Sequence, residues 1–500
     1  MVIILSARHR LIVGVAVAAA SVGALVAVQY HRLGLTLSHY DARGHLVVAR
    51  RIIDNLTPGW QQIGAVWLPL PHVLNAVPVQ VDSFYRTGAS AVAISILSFA
   101  VAACAIAWLV CAMTASRVAG VAAAAVFALN PNVLYLQSTP MTEPLLLALT
   151  LLAVAMLIDW ADLQACRKGD PTRLIGWVFA LACLTRYEAW PVTAAALSGA
   201  VWARWREGEA FDIAALRTGR IALYPALAVT AFAIFSRIVA GRWFVGGDFF
   251  VPENQALGDP LLAAKEIAWG TRRLSGPLLV GIGLAGMLIL TALGLLSRAR
   301  AFAILAVSLV TMAVIPWAAF VKGHPFRIRY MVPLLAIEAI GAGAIVGISK
   351  RARVACAIAV LAAVAYELRP LDASAPMVVE AQWDRPNVPV RAKVTACIGP
   401  PQRGMKIMAS MGSLGHHMQE MSRAGFAIHD FLHEGNGDLW LTAIDGPYPF
   451  AQWILIEEKA QGGDVLARLA REHPHFLYGY RRVCEGAGLA LYKRREGAWD

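Results

Sequence analysis

A few residues in this 500-residue chain have types and settings suited to acid–base and anion chemistry. Asp41 lies in Ser38-His-Tyr-Asp-Ala-Arg-Gly-His45, a polar stretch just past an apolar run. Glu143 and Glu188 mark the ends of later apolar runs. Cations gather at Arg186, in Leu184-Thr-Arg-Tyr-Glu188, and at Lys322, Arg327 and Arg329, in Val321-Lys-Gly-His-Pro-Phe-Arg-Ile-Arg-Tyr330. A carboxylate can take a proton from a hydroxyl. Guanidinium and ammonium groups can hold phosphate and stabilise charge on a leaving group. His45, Trp67, His72, Tyr187 and His324 are candidates to line a substrate groove. Each charged group also has a simpler reading. Asp41 and Glu143 suit the first turn of a helix, Arg186 and Glu188 could brace a bundle as an ion pair, and the 321–330 cations could anchor headgroups.

The elements that would place these groups are membrane spans. The chain is 58% hydrophobic and 15% charged, against about a quarter charged in soluble domains. Apolar runs reach the roughly 20 residues of a membrane crossing. Expected spans lie near 11–29, 88–112, 118–136, 143–160, 174–185, 190–203, 220–240, 276–296, 301–320, 331–349 and 354–368, eleven in all. Residues 369–500 hold 15 Lys/Arg and 15 Asp/Glu, so the net +12 lies in residues 1–368, where basic residues cluster at span ends. That is a lipid and topology signal, and no nucleic-acid partner is expected. Arg8 and Arg10 put the N-terminus in the cytoplasm, and inner turns containing Arg117, Arg167, Lys168, Arg173, Arg204, Arg298 and Lys350 agree. Arg186, Lys322, Arg327 and Arg329 fall on the outer side, against the rule, where something anionic would explain them.

The expected fold is mainly α, a polytopic transmembrane bundle with a small extracytoplasmic α/β domain. Residues 1–368 form the membrane domain, with outer loops at 31–86 and 241–275, and residues 369–500 the outer domain. In the first loop, Arg43, Val47, Arg50 and Asp54 recur on one side of a helix and Leu46, Ala49 and Ile53 on another, an interfacial amphipathic pattern. Asp41 falls at or just before its N-cap. Beyond residue 371, short apolar runs at 406–410, 427–432, 453–457 and 489–493 read as strands and 464–472 as a helix. Seven cysteines show no C-x-x-C pair. Cys397 and Cys484 could form a disulfide if their domain is extracytoplasmic, or remain two buried thiols. His416-His417 and His433-Glu434-Gly-Asn436 lack a firm metal spacing.

At these residues the chain resembles the GT-C superfamily of polytopic membrane glycosyltransferases. The resemblance is to the lipid-phosphosugar-dependent branch that holds protein O-mannosyltransferases and aminoarabinose transferases. That branch carries an essential Asp in the first outer loop, matched by Asp41, and a later Pro-Pro-Leu-like stretch, to which Leu68-Pro69-Leu70-Pro71-His72 is similar. Ala42 stands where the mannosyltransferases have Glu. The resemblance implies an inverting transfer from a polyprenyl-phosphate sugar to a glycan, lipid or protein acceptor at the outer face of a bacterial inner membrane. It implies Asp41 as general base, with Glu143 and Glu188 in support and the four cations on the donor phosphate. No fixed cofactor follows; a divalent metal could bind where Asp41, Glu143 or Asp248 converge. The alternatives are a transporter or flippase for a lipid-linked glycan, and a non-catalytic assembly protein. A transporter would favour internal repeats and charges deep in the spans, and the chain shows no repeat and few such charges.

Overall fold

The computed structural model describes residues 7–164, 169–244 and 255–495. Among them, seven helices are long and apolar enough to cross a membrane: Arg10–Arg32, Ala89–Thr114, Glu143–Ala161, Phe211–Ala240, Pro277–Leu296, Arg298–Val321 and Ile328–Ile348. The expected count of eleven spans is not reached, for local reasons. The 118–136 run breaks into Arg117–Ala128 and Pro131–Leu136 helices, because Pro131 lacks an amide proton and the Asn130 side chain accepts from the Asn132 amide. The Thr172–Cys183 and Arg353–Glu367 helices have 12 and 15 residues, short of the roughly 20 needed. The Ala189–Glu207 helix ends in Arg204, Arg206 and Glu207.

The chain divides into two compact units, each built from two stretches: Met1–Leu33 with Val92–Glu380, and Gly34–Ala91 with Ala381–Asp500. The division differs from the consecutive 1–368 and 369–500 domains expected. The first loop folds with the C-terminal part rather than with the spans.

In the first unit, helices meet through missing side chains. A Cβ on Gly286 would strike the Gly341 carbonyl, and one on Gly341 would strike the Gly283 carbonyl. Such backbone-to-backbone packing is how helices associate in lipid, where burying apolar surface gives no advantage. On the same Pro277–Leu296 helix, Leu284 and Leu288 are 60% and 61% exposed, which suits a lipid-facing surface. Glu367 accepts from the Leu278 and Leu279 amides, 2.8 Å each, and so caps that helix. Asn130 and Asn132 both donate to the Leu274 carbonyl, at 3.0 and 2.8 Å.

The second unit is built on a five-stranded sheet: β1 (Ile407–Ala409), β2 (Phe431–Leu432), β3 (Trp453–Glu457), β4 (Tyr480–Gly486) and β5 (Leu489–Arg494), in the order β2-β1-β3-β5-β4. β1 pairs parallel with β2 and β3, and β5 pairs antiparallel with β3 and β4. Successive side chains point to opposite faces. Ile407, Ala409, Phe431, Trp453 and Leu455 pack with Leu46, Val47 and Ala49 of the Tyr40–Arg50 helix and with Leu414 and Met418. Met408, Leu432, Ile454 and Ile456 pack on the other face with Trp440, Ala443 and Leu466. Both faces are covered, so these strands read as continuous apolar runs. The four expected strand segments hold β1, β2, β3 and β5. The Val465–Glu472 helix starts behind Asp464, whose side chain accepts from the Ala467 amide. β4 is additional. It is an edge strand whose Arg481, Arg482 and Val483 are exposed, so it carries no apolar signal.

Candidate functional site

The Tyr40–Arg50 helix places Asp41. His39 is its N-cap, with Nδ1 accepting from the Asp41 amide at 3.1 Å, so Asp41 lies in the first turn, where the helix dipole favours a carboxylate. The side chain is 6% exposed. The interfacial amphipathic helix expected here is not what forms. Asp41, Ala42, Arg43 and every residue from His45 to Arg50 are buried. The polar side turns inward because it finds carboxylates. Arg43 pairs with Asp384 at 2.8 Å and with Glu420, and Arg391 bridges the same two acids at 2.7 Å each. Arg50 pairs with Asp54 and Asp82, at 2.8 and 2.7 Å, and lies over the Tyr85 ring.

The residue before Asp41 belongs to an aromatic cluster. The Tyr40 ring stacks on His39 and meets Trp383 and His416 edge-on, with centroids 5.2, 5.5 and 6.1 Å away. Burial, then the charges of Arg43 and Arg391, push His416 down to about 3, against the pull of Asp384 and Asp41.

One turn along the helix, His45, Trp67 and His72 come together. The Trp67 ring lies 4.1 Å from His45, centroid to centroid. Nδ1 of His45 is 3.1 Å from Nε2 of His72, and Nδ1 of His72 is 3.2 Å from the Leu68 carbonyl. Gly44 makes room: a Cβ there would lie 3.0 Å from Cη2 of Trp67. Burial, then Arg51, hold His72 down at about 3.

Arg51 is the residue that sequence reasoning missed. Unlike Arg43, Arg50 and Arg391, it makes no ion pair among the described residues. Its Nε donates to the Gln62 carbonyl at 2.5 Å and Nη1 approaches Sδ of Met411. Burial lowers its pKa to about 10, with Glu434 opposing. Gln62 Oε1 and His433 Nε2, and Asn55 Nδ2 in the same loop as Gln62, are buried single atoms without a hydrogen-bond partner among the described residues. The only mark of Arg51 in the sequence was its position one residue after Arg50, off the charged face.

In the first unit, Arg186 is clamped. It donates to Glu143 at 2.9 Å, to Thr142 at 3.1 Å and to Glu188 at 2.7 Å. Burial works against its charge, but Glu143 and Glu188 outweigh it and hold the guanidinium protonated. Of the two expected readings, the geometry is that of the ion-pair brace. Arg329 is buried, lies 5.0 Å over the Tyr330 ring and repels Arg186. Arg329 and Arg327 also act on Glu380, whose pKa burial raises although the Ile328 amide donates to it at 2.6 Å. Lys322 is exposed at the end of the Val314–Val321 helix. His324 Nδ1 is 3.0 Å from the Pro325 carbonyl, and its ring meets Tyr330. Tyr187 joins Trp190 and Phe232 in an aromatic cluster, and burial pushes its hydroxyl up to about 12.

Among the described residues, no three or more His, Cys, Asp or Glu side chains are placed to hold a metal ion. Asp248 lies outside the described residues. His433 Nδ1 accepts from the Gly435 amide, and Glu434 accepts from Met411 and Ser410, so both serve local turns. Cys397 and Cys484 form a disulfide within the second unit. Compared with protein-family models and with curated proteins, the chain matches none.

Proposed function

We propose that this membrane protein is a glycosyltransferase that moves a sugar from a polyprenyl-phosphate donor to an acceptor hydroxyl, with Asp41 as general base. The observation that carries the reading is the setting of Asp41. It is a carboxylate fixed in the first turn of a buried helix, next in sequence to Tyr40, whose ring meets Trp383 and His416, and its charge acts on His416. Aromatic rings beside a carboxylate suit a sugar, whose C–H faces stack and whose hydroxyl gives up a proton. The acid attacks nothing itself. It takes the acceptor proton as the new C–O bond forms and the C–O bond to phosphate breaks, with the electron pair leaving on the phosphate oxygen.

Arg186 is already neutralised by two carboxylates, so it is not proposed for the lipid phosphate. The proposed location is a bacterial inner membrane with the second unit outside the cytoplasm. The Cys397–Cys484 disulfide supports an oxidising compartment, and the basic residues at span ends support the orientation.

The test is Asp41→Asn in the full-length protein reconstituted in lipid. It is expected to keep expression and thermal stability and to lose at least about a hundredfold in sugar transfer, within the range of a missing general base. Transfer at the normal rate by that variant removes Asp41 from the role.

A further inference from the structure

We propose that Arg51, with His433 and Gln62, forms a binding site for a phosphate group that keeps one proton: inorganic phosphate or a phosphate monoester. The site is independent of the reading of Asp41. Arg51 follows the Tyr40–Arg50 helix and lies ten residues, about 15 Å, beyond Asp41. All three residues belong to the second unit.

The cation comes first. Arg51 is partly exposed, so a small ligand can reach it. Its Nε is taken by the Gln62 carbonyl, and Nη1 faces Sδ of Met411, a weak acceptor. Nη2 has no hydrogen-bond partner among the described residues. A Cβ on Gly64 would lie 3.0 Å from that nitrogen, and the glycine, at φ +73°, leaves this side open. Glu434 acts on Arg51 without an ion pair, because its oxygens accept from Ser410 and from the Met411 amide. A guanidinium held this way is short of an anion, and its fork matches phosphate.

Two orphaned atoms set the protonation of the ligand. A backbone amide only donates, so the 3.0 Å contact from Gly435 makes Nδ1 of His433 the acceptor. Burial, then Arg51, keep that imidazole neutral. Its proton is therefore on Nε2, a buried donor without a partner. Gln62 is fixed in the same manner. Its Nε2 donates to the Thr57 and Gly435 carbonyls at 2.7 and 2.6 Å, which leaves Oε1 a buried acceptor without a partner. Gln62 also ties the parts together, since its backbone carbonyl holds Arg51 and its amide holds Gly435. A Cβ on Gly435 would lie 2.7 Å from Gln62 Oε1 and 2.8 Å from Cε1 of His433, the carbon bonded to Nε2, so the glycine keeps space between them. Sulfate or a carboxylate offers acceptors alone and sets a lone pair against Gln62 Oε1. A phosphate with one P–OH offers oxygens to Arg51 and His433 and a donor to Gln62. A bridging water would serve Gln62 and His433 and leave the Arg51 charge unmet.

The test uses the full-length protein in phosphatidylcholine nanodiscs, in sulfonate buffer at about pH 6, where a monoester still keeps part of its second proton. Inorganic phosphate is titrated by calorimetry and by thermal unfolding. Saturable binding near one phosphate per chain is expected, with an unfolding temperature that rises with phosphate. Sulfate is expected to bind at least about tenfold more weakly, for want of the proton. Arg51→Gln is expected to lose about tenfold or more in phosphate affinity and to unfold no lower than the native protein when phosphate is absent. Gly435→Ala, at a position with no left-handed φ, fills the space between Gln62 and His433. It is expected to weaken phosphate too, and it decides the matter should Arg51→Gln fail to fold. Phosphatidate in the nanodiscs, a monoester headgroup, tells the sources apart: displacement of inorganic phosphate identifies a lipid, unchanged affinity identifies a free ligand, and both support the site. No saturable phosphate binding, equal affinity for sulfate, or native affinity in either variant overturns it.

Discussion

Arg186 shows how residue type and residue role separate. Its spacing to Glu188 was visible in Leu184-Thr-Arg-Tyr-Glu188, but the second carboxylate, Glu143, comes from 43 residues away. Glu143 and Glu188 are 0% and 3% exposed, so removing the cation would strand two buried acids. Arg186→Gln is expected to cost about 3–5 kcal/mol, read by thermal unfolding in detergent, and adding Glu143→Gln and Glu188→Gln should restore most of it. A phosphate-binding Arg186 would instead lose donor affinity with stability intact. Asp384 gives the pH counterpart in the second unit. Burial alone would raise its carboxyl, but Arg391 and Asn387 outweigh that and hold it at about 2. A carboxyl held below its unfolded value stabilises the fold above that value, and the contribution vanishes as pH falls through the folded value. Asp384 thus contributes on the order of 2 kcal/mol at neutral pH, lost between about pH 4 and pH 2. Asp384→Asn is expected to flatten that part of the curve of unfolding temperature against pH.

Elements were legible where one pattern had one interpretation. The long apolar runs became helices, and the short apolar runs of the C-terminal part became β1, β2, β3 and β5. The Tyr40–Arg50 helix was found at nearly its true bounds, yet its surroundings were misread. Arg43 and Arg50 at helical spacing look the same whether they face water, headgroups or buried acids, and only Asp384, Glu420 and Asp82 decide among them. β4 escaped because an edge strand with exposed arginines has no hydrophobic period. The glycine crossing in the first unit was also silent, since a glycine in an apolar run marks no partner. Gly341→Leu would push a side chain into the Gly283 backbone. It is expected to abolish monodisperse protein on size exclusion, whereas Leu288→Ala on the exposed face should leave the profile unchanged.

At the scale of the molecule, the second unit is discontinuous, and this has a consequence for folding. Leu46, Val47 and Ala49 complete the core over Ile407, Phe431, Trp453 and Leu455. A fragment of residues 381–500 alone would expose that sheet face and is expected to be insoluble or to bind hydrophobic dyes. Joining residues 34–91 to it through a flexible linker should give a soluble, cooperatively unfolding domain, checked by circular dichroism and thermal melts. A soluble, folded 381–500 fragment would show that the loop is dispensable to the core.

Composition and hydropathy by themselves determined that this is a helical membrane protein with a small mixed domain, because those signals are local sums along the chain. Residue type and position in the first loop offered Asp41, His45, Trp67 and His72 as candidates, all within 32 residues of one another. Only the tertiary structure decided that the first loop belongs to the C-terminal unit, that Arg186 is clamped, that Arg51 makes no ion pair among the described residues and that His45 and His72 come within hydrogen-bond distance. Each of these depends on which distant backbone a side chain meets, and pairing across 40 to almost 400 positions leaves no trace in local periodicity.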